Sequence, residues 1–368
     1  MKVLFLKKHY HPFGGAELYL QNLAQHLARE GEEVYLLTSR WEGDPGFKVH
    51  SIKIFSFLYS DLAFALKAKN KAKEFRDCVI FSFDRTIFQH IYRASDGCHL
   101  RWLENRKKFL EPFYRSLILD YNPKHLVLKW LEKKCLENSK IIVTNSRMVR
   151  EDFGKFYGTE IYEKCRVIYN GVDLKKFRPV TEEKKLLLRK ELSIPEEEPV
   201  LLFLGSGYFR KGLVSVLRAL SLLREGLLIV VGKEKKLRYF KRFAERLGIT
   251  GRVRFLGAQK EVVKLYQVAD VFVLPTIYDP FSNACLEALA CGLPVITTSA
   301  NGAAEIIKNG KNGFVLDLPV DMEELAYKIE QVLKDLPKMR TLALTTAPKF
   351  SIEKAIQSLK DTIKQCAF

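Results

Sequence analysis

Short apolar runs alternate with amphipathic segments from the start of the chain. The run MKVLFL predicts a buried strand, AELYLQNLAQHLAREG has apolar residues at helical spacing and ends at Gly31, and EVYLLTS predicts a second strand. A strand, a glycine-containing loop, a helix and another strand form a βαβ unit, which indicates a parallel sheet. The pattern is weak between about 60 and 135 and returns at KIIVTNS, near 140.

A second and clearer alternation follows VIYNGVDLKKFRP, where Asn-Gly and Pro179 indicate a turn and a linker. Strands are predicted at PVLLFLG, LLIVVG, RVRFLG, VFVLP, PVITT and GFVLD. Helices are predicted to begin near Lys211, Lys235, Glu261, Ser282, Ala303 and Met322. The second half of the chain therefore also predicts a parallel sheet.

Together the two halves predict an α/β protein with two Rossmann-like, doubly wound domains facing a cleft. We expect an N-terminal domain at 1–172, a C-terminal domain at 173–350 and a C-terminal helix at 351–368 that crosses back to the first domain. Because ligands of open parallel sheets bind beyond the carboxyl ends of the strands, the loops after strands are where chemistry is expected.

Composition narrows the class of protein. Of 368 residues, 47% are hydrophobic and 28% are charged, which excludes a disordered or fibrous chain. Seven scattered cysteines without a C-x-x-C predict neither a disulfide framework nor a zinc site, and they fit a reducing cytoplasm. No run of about 18 apolar residues predicts a membrane-spanning helix, and the first apolar run is too short for a signal peptide.

The net charge of +18 favours anionic partners such as nucleic acid, phospholipid or a phosphorylated glycan. Lys and Arg exceed Asp and Glu equally in the two halves, and no known nucleic-acid module is visible in the sequence. We therefore expect no nucleic acid among the partners.

A glycine-containing loop follows the first strand of each half. Gly14 and Gly15 lie where the backbone can approach an anion at a helix N-terminus, although a tight turn explains the pair equally well. The loop GSGYFRKG, residues 205–212, has the equivalent position in the second half. There Arg210 offers a planar fork of donors and Lys211 a point charge, which suit a diphosphate; the alternative is a solvated basic turn.

Two carboxylates, Asp279 and Glu287, lie eight positions apart in the stretch IYDPFSNACLEALACGLPVIT. Strand VFVLP ends just before Asp279, and Ser282 with Asn283 predicts a helix N-cap, so Glu287 lies inside the helix on the face of Asn283. A helix N-terminus can bind phosphate, and a carboxylate can accept hydrogen bonds from the vicinal hydroxyls of ribose or a sugar. The alternative is a capped surface helix with a solvent-facing glutamate, which the apolar residues around Glu287 disfavour.

The segments FGGAE, NGVD, FRKG, VRFLG and YDPFSNACLEALACGLPVI occur in this order along the chain. In these segments the chain resembles the retaining glycosyltransferases of family 4, which have the two-domain GT-B fold. The stretches YHPFGG, WEGD and YRASDGCHLRW are most similar to the branch of that family that adds the first glucose to heptose of the lipopolysaccharide core. The resemblance covers nearly the whole chain and is weak only between 45 and 135.

This resemblance implies roles for the residues of the second half. Arg210 and Lys211 match the basic pair that holds the donor diphosphate, and Glu287 matches the acid that binds the ribose hydroxyls. Asp279 matches the first acid of the family's Glu-x7-Glu, a catalytic position facing the donor sugar, where the shorter aspartate is a departure. The resemblance also implies donor contacts from Gly14, Gly15, Phe281, Ser282 and Asn283.

On the acceptor side the resemblance implies polar residues in the first domain, at Asp96 and His99. Either side chain can orient or deprotonate an acceptor hydroxyl, and Asp96 is predicted to be catalytic in this way. The alternative for both residues is ordinary capping or hydrogen bonding. Residues 101–134 interleave basic and aromatic side chains, with Arg106, Lys107 and Lys108 adjacent. This segment predicts contact with an anionic membrane surface; two ordinary amphipathic helices are the alternative.

No metal or other cofactor is expected. The sequence has no D-x-D, and all seven histidines lie in the first half without a zinc-like ligand spacing. Arg210, Lys211 and a helix N-terminus are expected to neutralise the donor diphosphate instead of a divalent ion.

The sequence thus predicts a retaining hexosyltransferase that transfers glucose from UDP-glucose, or a sugar from a similar nucleotide sugar, to lipopolysaccharide core or a related lipid-linked glycan. We expect it to be cytoplasmic and peripheral on the inner face of the cytoplasmic membrane. A noncatalytic nucleotide-sugar or polyanion binder of the same fold is the main alternative. An epimerase or phosphorylase is a further one, and an epimerase is disfavoured because the second half lacks histidine.

Overall fold

The computed structural model describes residues 1–9, 15–40, 47–53, 59–110, 119 and 121–366, with 15–18 described by their backbone alone. The chain divides into two compact units. Met1–Tyr169 and Glu353–Phe368 form the first unit, and Asn170–Ile352 form the second. The cleft predicted between the two domains stays a prediction.

The first unit contains a seven-stranded sheet in the order β3-β2-β1-β4-β5-β6-β7, and every neighbouring pair is parallel. Its strands are β1 Lys2–Leu6, β2 Glu33–Thr38, β3 Lys48–Ser51, β4 Val79–Ser82, β5 Ile91–Arg93, β6 Ile141–Thr144 and β7 Cys165–Val167. β4, β5 and β6 are buried along their whole length. The strands that fall between 60 and 135, β4 and β5, are only four and three residues long, which is too short for a periodic pattern and explains the weak signal there.

The helices described in the N-terminal part of the chain are α1 Gly15–Arg29, α2 Ser60–Ala72, α3 His99–Phe109, α4 Pro123–Asn138, α5 Arg147–Tyr157 and α6 Thr159–Lys164. The starts of α4 and α5 follow from local sequence. The side chain of Asn122 caps α4 ahead of a proline at its first position, and Ser146 caps α5 by accepting a hydrogen bond from the Val149 N–H (3.2 Å).

The second unit contains a six-stranded parallel sheet in the order β10-β9-β8-β11-β12-β13. Its strands are β8 Val200–Leu204, β9 Leu227–Val231, β10 Val253–Gly257, β11 Val271–Leu274, β12 Val295–Thr298 and β13 Gly313–Leu316. All six coincide with the predicted apolar runs. The predicted α/β class, with two Rossmann-like doubly wound domains, is confirmed.

The helices described in this unit are α7 Glu182–Glu191, α8 Leu213–Leu222, α9 Leu237–Arg246, α10 Val263–Val268, α11 Asn283–Ala290, α12 Met322–Lys334 and α13 Leu336–Thr346. The α-helix predicted near Ala303 is wrong, because Gly302–Ile306 forms a five-residue 3₁₀ helix. The Asn301 side chain caps this turn by accepting from the Ala303 N–H (3.1 Å), and the next strand, β13, begins at Gly313.

The two segments that connect the units run side by side. Val172 donates to the Phe350 carbonyl (3.0 Å), and Ile352 donates to the Val172 carbonyl (3.0 Å). A Cβ on Gly171 would lie 2.5 Å from the Ile352 Cα, so only glycine permits this approach. The last helix, α14 Ile352–Cys366, then belongs almost entirely to the first unit, where Lys360 forms an ion pair with Glu30 of α1. None of the helices in the described residues is long and apolar enough to span a bilayer.

Candidate functional site

Two loops of the second unit meet beyond the carboxyl ends of neighbouring strands β8 and β11. The Ile277 N–H donates to the Arg210 carbonyl (2.9 Å), and the Thr276 hydroxyl donates to the same oxygen (3.0 Å). Gly212 allows this contact. Its φ is +81°, and a Cβ there would lie 2.0 Å from the Pro275 carbonyl oxygen. The predicted basic loop and the Asp279 loop are therefore packed against each other.

The basic pair of the first loop makes two different contacts. The Arg210 guanidinium donates from Nη1 to the Tyr278 carbonyl (3.0 Å). Lys211 is buried and forms an ion pair with Asp279, which is buried as well. Because Lys211 is paired within the protein, a diphosphate that uses its charge has to compete with the Asp279 carboxylate.

Glu287 lies on α11, where the phenol of Tyr266 on α10 donates to its Oε2 (2.8 Å). Burial raises the pKa of Glu287, and the Tyr266 hydrogen bond opposes that rise. Tyr266 is fully buried. Burial, followed by the Glu287 charge, raises the pKa of its phenol, so the phenol stays protonated and donates.

Ser282 occupies the N-cap position of α11 as predicted, but its side chain makes no capping hydrogen bond. Instead, its backbone N–H donates to Asn301 Oδ1 (3.2 Å), which the Ala303 N–H also reaches. Asn283, the first residue of the helix, accepts from the Asn170 side chain (2.7 Å). Phe281 is buried next to this cap.

Sequence reasoning missed Tyr266 and Asn301, which hold Glu287 and Ser282. Tyr266 has a detectable signal, since a tyrosine on the apolar face of a helix needs a hydrogen-bond partner for its phenol. Asn301 has no such signal in the sequence, because Asn-Gly is equally typical of an ordinary turn. The structure brings together Arg210, Lys211, Asp279, Phe281, Ser282, Asn283 and Glu287 within two loops and one helix of the second unit.

In the first unit, Asp96 lies in the turn after β5, and its side chain is 71% exposed. The guanidinium of Arg85, in the turn after β4, approaches it with Nη1 3.6 Å from Asp96 Oδ2. Asp96 is therefore an accessible carboxylate at the carboxyl edge of the sheet, where acceptor chemistry was expected.

His99 begins α3 and is buried. Burial, and next the charge of Arg85, lower the pKa of His99 to about 3. Its Nε2 shares a hydrogen bond with Nδ1 of His125 (3.1 Å). An imidazole with such a low pKa is a weak base. His99 is therefore better suited to orient a hydroxyl than to remove its proton.

Arg106, Lys107 and Lys108 form the last turn of α3. Lys107 and Lys108 line a surface groove of about 460 Å³, together with Leu100, Leu103, Glu104 and Phe156. Tyr121 and Trp130, from the same aromatic and basic segment, are 77% and 45% exposed. Residues 111–118 of that segment lie outside the described residues.

Gly15 begins α1, whereas Gly14 lies outside the described residues, so the donor contacts of this loop stay predictions. Over the described residues, no group of three or more His, Cys, Asp or Glu side chains is arranged to hold a metal ion. The expected independence from metal stays a prediction.

Two protein-family models match the chain. Residues 13–176 match "Glycosyltransferase Family 4", and residues 184–345 match "Glycosyl transferases group 1". The lipopolysaccharide glucosyltransferase WaaG of Escherichia coli (strain K12) is 28% identical over 350 residues, which are 92% of this chain and 91% of that protein. An uncharacterized glycosyltransferase of Methanocaldococcus jannaschii, MJ1607, is 26% identical over 91% of this chain and 90% of its own length.

Solved structures agree in fold. The crystal structure of WaaG, a glycosyltransferase involved in lipopolysaccharide biosynthesis, superposes with a TM-score of 0.83 at 25% identity, covering 98% of this chain and 99% of that one. Anabaena Alr3699/HepE, solved in complex with UDP-glucose, superposes with a TM-score of 0.77 over 99% of this chain and 100% of that one; at 21% identity it shows the fold alone. The chain therefore belongs to the GT-B glycosyltransferases, with an N-terminal half of family 4 and a C-terminal half of group 1.

Proposed function

We propose that the protein is a retaining hexosyltransferase that moves glucose from UDP-glucose to a sugar hydroxyl of lipopolysaccharide core or a related lipid-linked glycan. The observation that carries the proposal is the packing of the Arg210–Lys211 loop against the Asp279 loop, with Glu287 on the helix that follows. Similarity to WaaG, a lipopolysaccharide glucosyltransferase, supports glucose as the sugar and lipopolysaccharide core as the acceptor.

The donor would bind in the second unit. The guanidinium of Arg210 and the ammonium of Lys211 would take the diphosphate, and the backbone N–H groups at the start of α11 would add a third positive contribution. Glu287 would accept from the ribose hydroxyls through the oxygen that Tyr266 does not use. Gly14, Gly15, Phe281, Ser282 and Asn283 are proposed as further donor contacts.

Asp279 is proposed to face the transferred sugar as a catalytic carboxylate. In the structure it neutralises Lys211, so donor binding would exchange one anionic partner of Lys211 for another. Catalysis would rest on positioning and on stabilisation of the leaving diphosphate by cationic side chains, without a divalent ion. Retention of the anomeric configuration is proposed from the family resemblance.

The acceptor would bind in the first unit. The accessible carboxylate of Asp96 is proposed to assist its hydroxyl, with His99 in an orienting role. The groove beside Lys107 and Lys108 and the exposed rings of Tyr121 and Trp130 support contact with an anionic membrane surface. We propose that the protein works as a peripheral enzyme on the inner face of the cytoplasmic membrane.

A panel of nucleotide sugars tests this function. Each is added to the purified protein in a thermal-shift measurement, and those that stabilise it are then offered with a heptose-terminated lipopolysaccharide core. UDP-glucose is expected to give the largest shift and to be consumed with transfer to the core. Stabilisation without transfer to any acceptor would favour a noncatalytic binder of the same fold, and stabilisation by another nucleotide sugar alone would replace the proposed donor.

A further inference from the structure

Glu132 of α4 is a fully buried carboxylate in the first unit, and it has no part in the proposed donor and acceptor sites. Its Oε1 accepts from Nε (3.0 Å) and Nη2 (2.9 Å) of Arg85, and its Oε2 accepts from the Tyr157 phenol (2.7 Å). The backbone N–H of His99 reaches both oxygens, at 3.0 and 2.9 Å. An ionised buried carboxylate is costly unless it is paired, and these donors supply the pairing.

The carboxylate also replaces a missing helix cap. Cys98 is the N-cap residue of α3, and its side chain makes no capping hydrogen bond. Glu132 binds the His99 N–H from a different helix, so a negative charge lies at the positive end of α3. Burial, and next the charge of Glu132, raise the pKa of Tyr157, so its phenol remains a donor to the carboxylate. The start of α3 is thereby fixed to α4 and α5.

Arg85 links the buried Glu132 to the exposed turn that carries Asp96. Its Nη2 donates to the Gly97 carbonyl (3.2 Å), and its Nη1 lies 3.6 Å from Asp96 Oδ2. Gly97 has a φ of +70°, and its N–H donates to the Ala94 carbonyl (3.1 Å), which closes the turn that presents Asp96. One guanidinium therefore contacts the buried Glu132, the backbone of the turn and the exposed carboxylate.

We propose that Glu132 and Arg85 are positioning residues, which hold the Asp96 carboxylate in the orientation that the acceptor hydroxyl requires. The proposal rests on the function proposed above, in which Asp96 meets the acceptor. Stability alone gives little reason to keep such a pair, because apolar side chains of similar volume stabilise a core as well as a buried ion pair does. The planar Arg85 guanidinium, in contrast, is held in one orientation, because Nε donates to Glu132 Oε1 (3.0 Å) while Nη2 donates to the Gly97 carbonyl (3.2 Å).

Glu132→Gln tests the proposal, because it keeps the side-chain size but removes the charge and adds an amide donor facing Arg85. For transfer from UDP-glucose to a heptose-terminated lipopolysaccharide core, kcat/KM should fall about 10-fold or more, while the Kd for UDP stays within about twofold. The matched control is Asp152→Asn. Asp152 is also a buried carboxylate of this unit that accepts from an arginine, Arg101 Nε (2.6 Å), but this hydrogen bond reaches α3 at residue 101 and not at the 96–99 turn.

A double-mutant cycle separates positioning from a general loss of structure. If Glu132 acts through Asp96, Glu132→Gln should cost about twofold or less in kcat/KM once Asp96 is already Asn. The proposal is overturned if the kcat/KM losses of the two single variants multiply in the double variant. It is also overturned by an equal kcat/KM loss in the Asp152→Asn control, or by a matching loss of UDP affinity in Glu132→Gln. If Glu132→Gln does not fold, Arg85→Lys takes its place in the same cycle, since it keeps the charge opposite Glu132 but cannot make all of the guanidinium contacts.

Hydrogen exchange distinguishes failure of this proposal from failure of the proposed function. The amides of residues 97–99 should exchange about 10-fold or more faster in Glu132→Gln than in the wild type, and at wild-type rates in Asp152→Asn. A wild-type protein that transfers no sugar, combined with faster exchange in Glu132→Gln, would refute the transferase function and leave the positioning of the turn intact. Unchanged exchange would refute the positioning itself.

Discussion

The Tyr266 phenol donates to Glu287 Oε2 across 2.8 Å, from a helix 21 positions earlier in the chain. This bond partly offsets the burial that raises the pKa of Glu287, and it engages one carboxylate oxygen. In the proposed function, the other oxygen meets a hydroxyl of the ribose. The proposed donor site thus combines a residue that the motif contains with a partner that lies outside it.

The first prediction concerns this pair. Glu287→Ala should weaken UDP binding about 10- to 100-fold, because it removes hydrogen bonds to a charged group. Tyr266→Phe should weaken it less, by raising the pKa of Glu287 further. Isothermal titration with UDP measures both. Tyr327→Phe is the control, since that phenol is exposed and accepts from Gln331 (2.9 Å) on the same helix. Wild-type affinity in folded Glu287→Ala would remove this residue from the ribose site.

The second prediction concerns Asp279. Asp279→Asn should lower kcat about 100-fold or more, because this carboxylate is assigned to the transferred sugar. The Kd for UDP should stay constant or fall, since the change releases Lys211 from its ion pair. Steady-state kinetics and UDP titration give the two values. Asp317→Asn, at an exposed carboxylate of the same unit, should change neither. Equal losses of turnover and UDP affinity would move Asp279 to the nucleotide side of the site.

Chelation provides a third prediction. Turnover should survive an excess of EDTA, because Arg210 and Lys211 are assigned the charge of the leaving diphosphate. Arg210→Ala, in contrast, should weaken UDP binding about 10-fold or more with or without EDTA. The measurement is the initial rate before and after chelation. Loss of activity that Mg²⁺ or Mn²⁺ restores would show that the proposed neutralisation is incorrect.

The fourth prediction follows from His99. Its folded-state pKa is lowered to about 3 from an ordinary value of 6.5, by burial and then by Arg85. Between pH 6.5 and 3, His99 therefore binds a proton in the unfolded chain but not in the folded protein. Its contribution to the free energy of unfolding is lost as the pH falls below 6.5. Between pH 6.5 and 5.0 the free energy of unfolding of the wild type should fall by about 1.6 kcal/mol more than that of His99→Gln.

Urea unfolding of the full chain at the two pH values measures this difference in the free energy of unfolding. His26→Gln is the control, because that imidazole is 45% exposed and lies beside Glu30 at the surface. Parallel stability curves for wild type and His99→Gln would show that His99 titrates normally in the folded protein.

The fifth prediction concerns the membrane. The protein should bind vesicles that contain anionic lipid and leave them at high salt, since the Debye length falls from about 8 Å at physiological ionic strength to about 3 Å at 1 M. Replacing Arg106, Lys107 and Lys108 by Ser should weaken this binding without changing the Kd for UDP. Sedimentation with vesicles measures the bound fraction.

A charge-matched variant controls for the net charge of the protein. Lys334, Lys338 and Lys349 are exposed in the second unit, and replacing them by Ser removes the same charge from other positions. If both triple variants lose binding equally, or if the wild type ignores anionic vesicles at low salt, the assignment of α3 to a membrane surface is refuted.

The sequence by itself determined the strands, the parallel sheets and the protein family. Six apolar runs between Val200 and Leu316 became six parallel strands, because a buried strand is specified by its own apolar residues and by the turns that bound it. The motif around Asp279 and Glu287 pointed to the donor chemistry because a loop and the helix that follows it are contiguous in the chain.

Only the tertiary structure decided which polar groups meet. Glu132 lies 47 positions from Arg85 and 33 from His99, and Lys211 lies 68 from Asp279. No local periodicity encodes such pairs, because they depend on how separate strands and helices pack. The pKa of His99 and the ion pair of Lys211 follow from that packing, since burial and neighbouring charge arise only when the chain is folded.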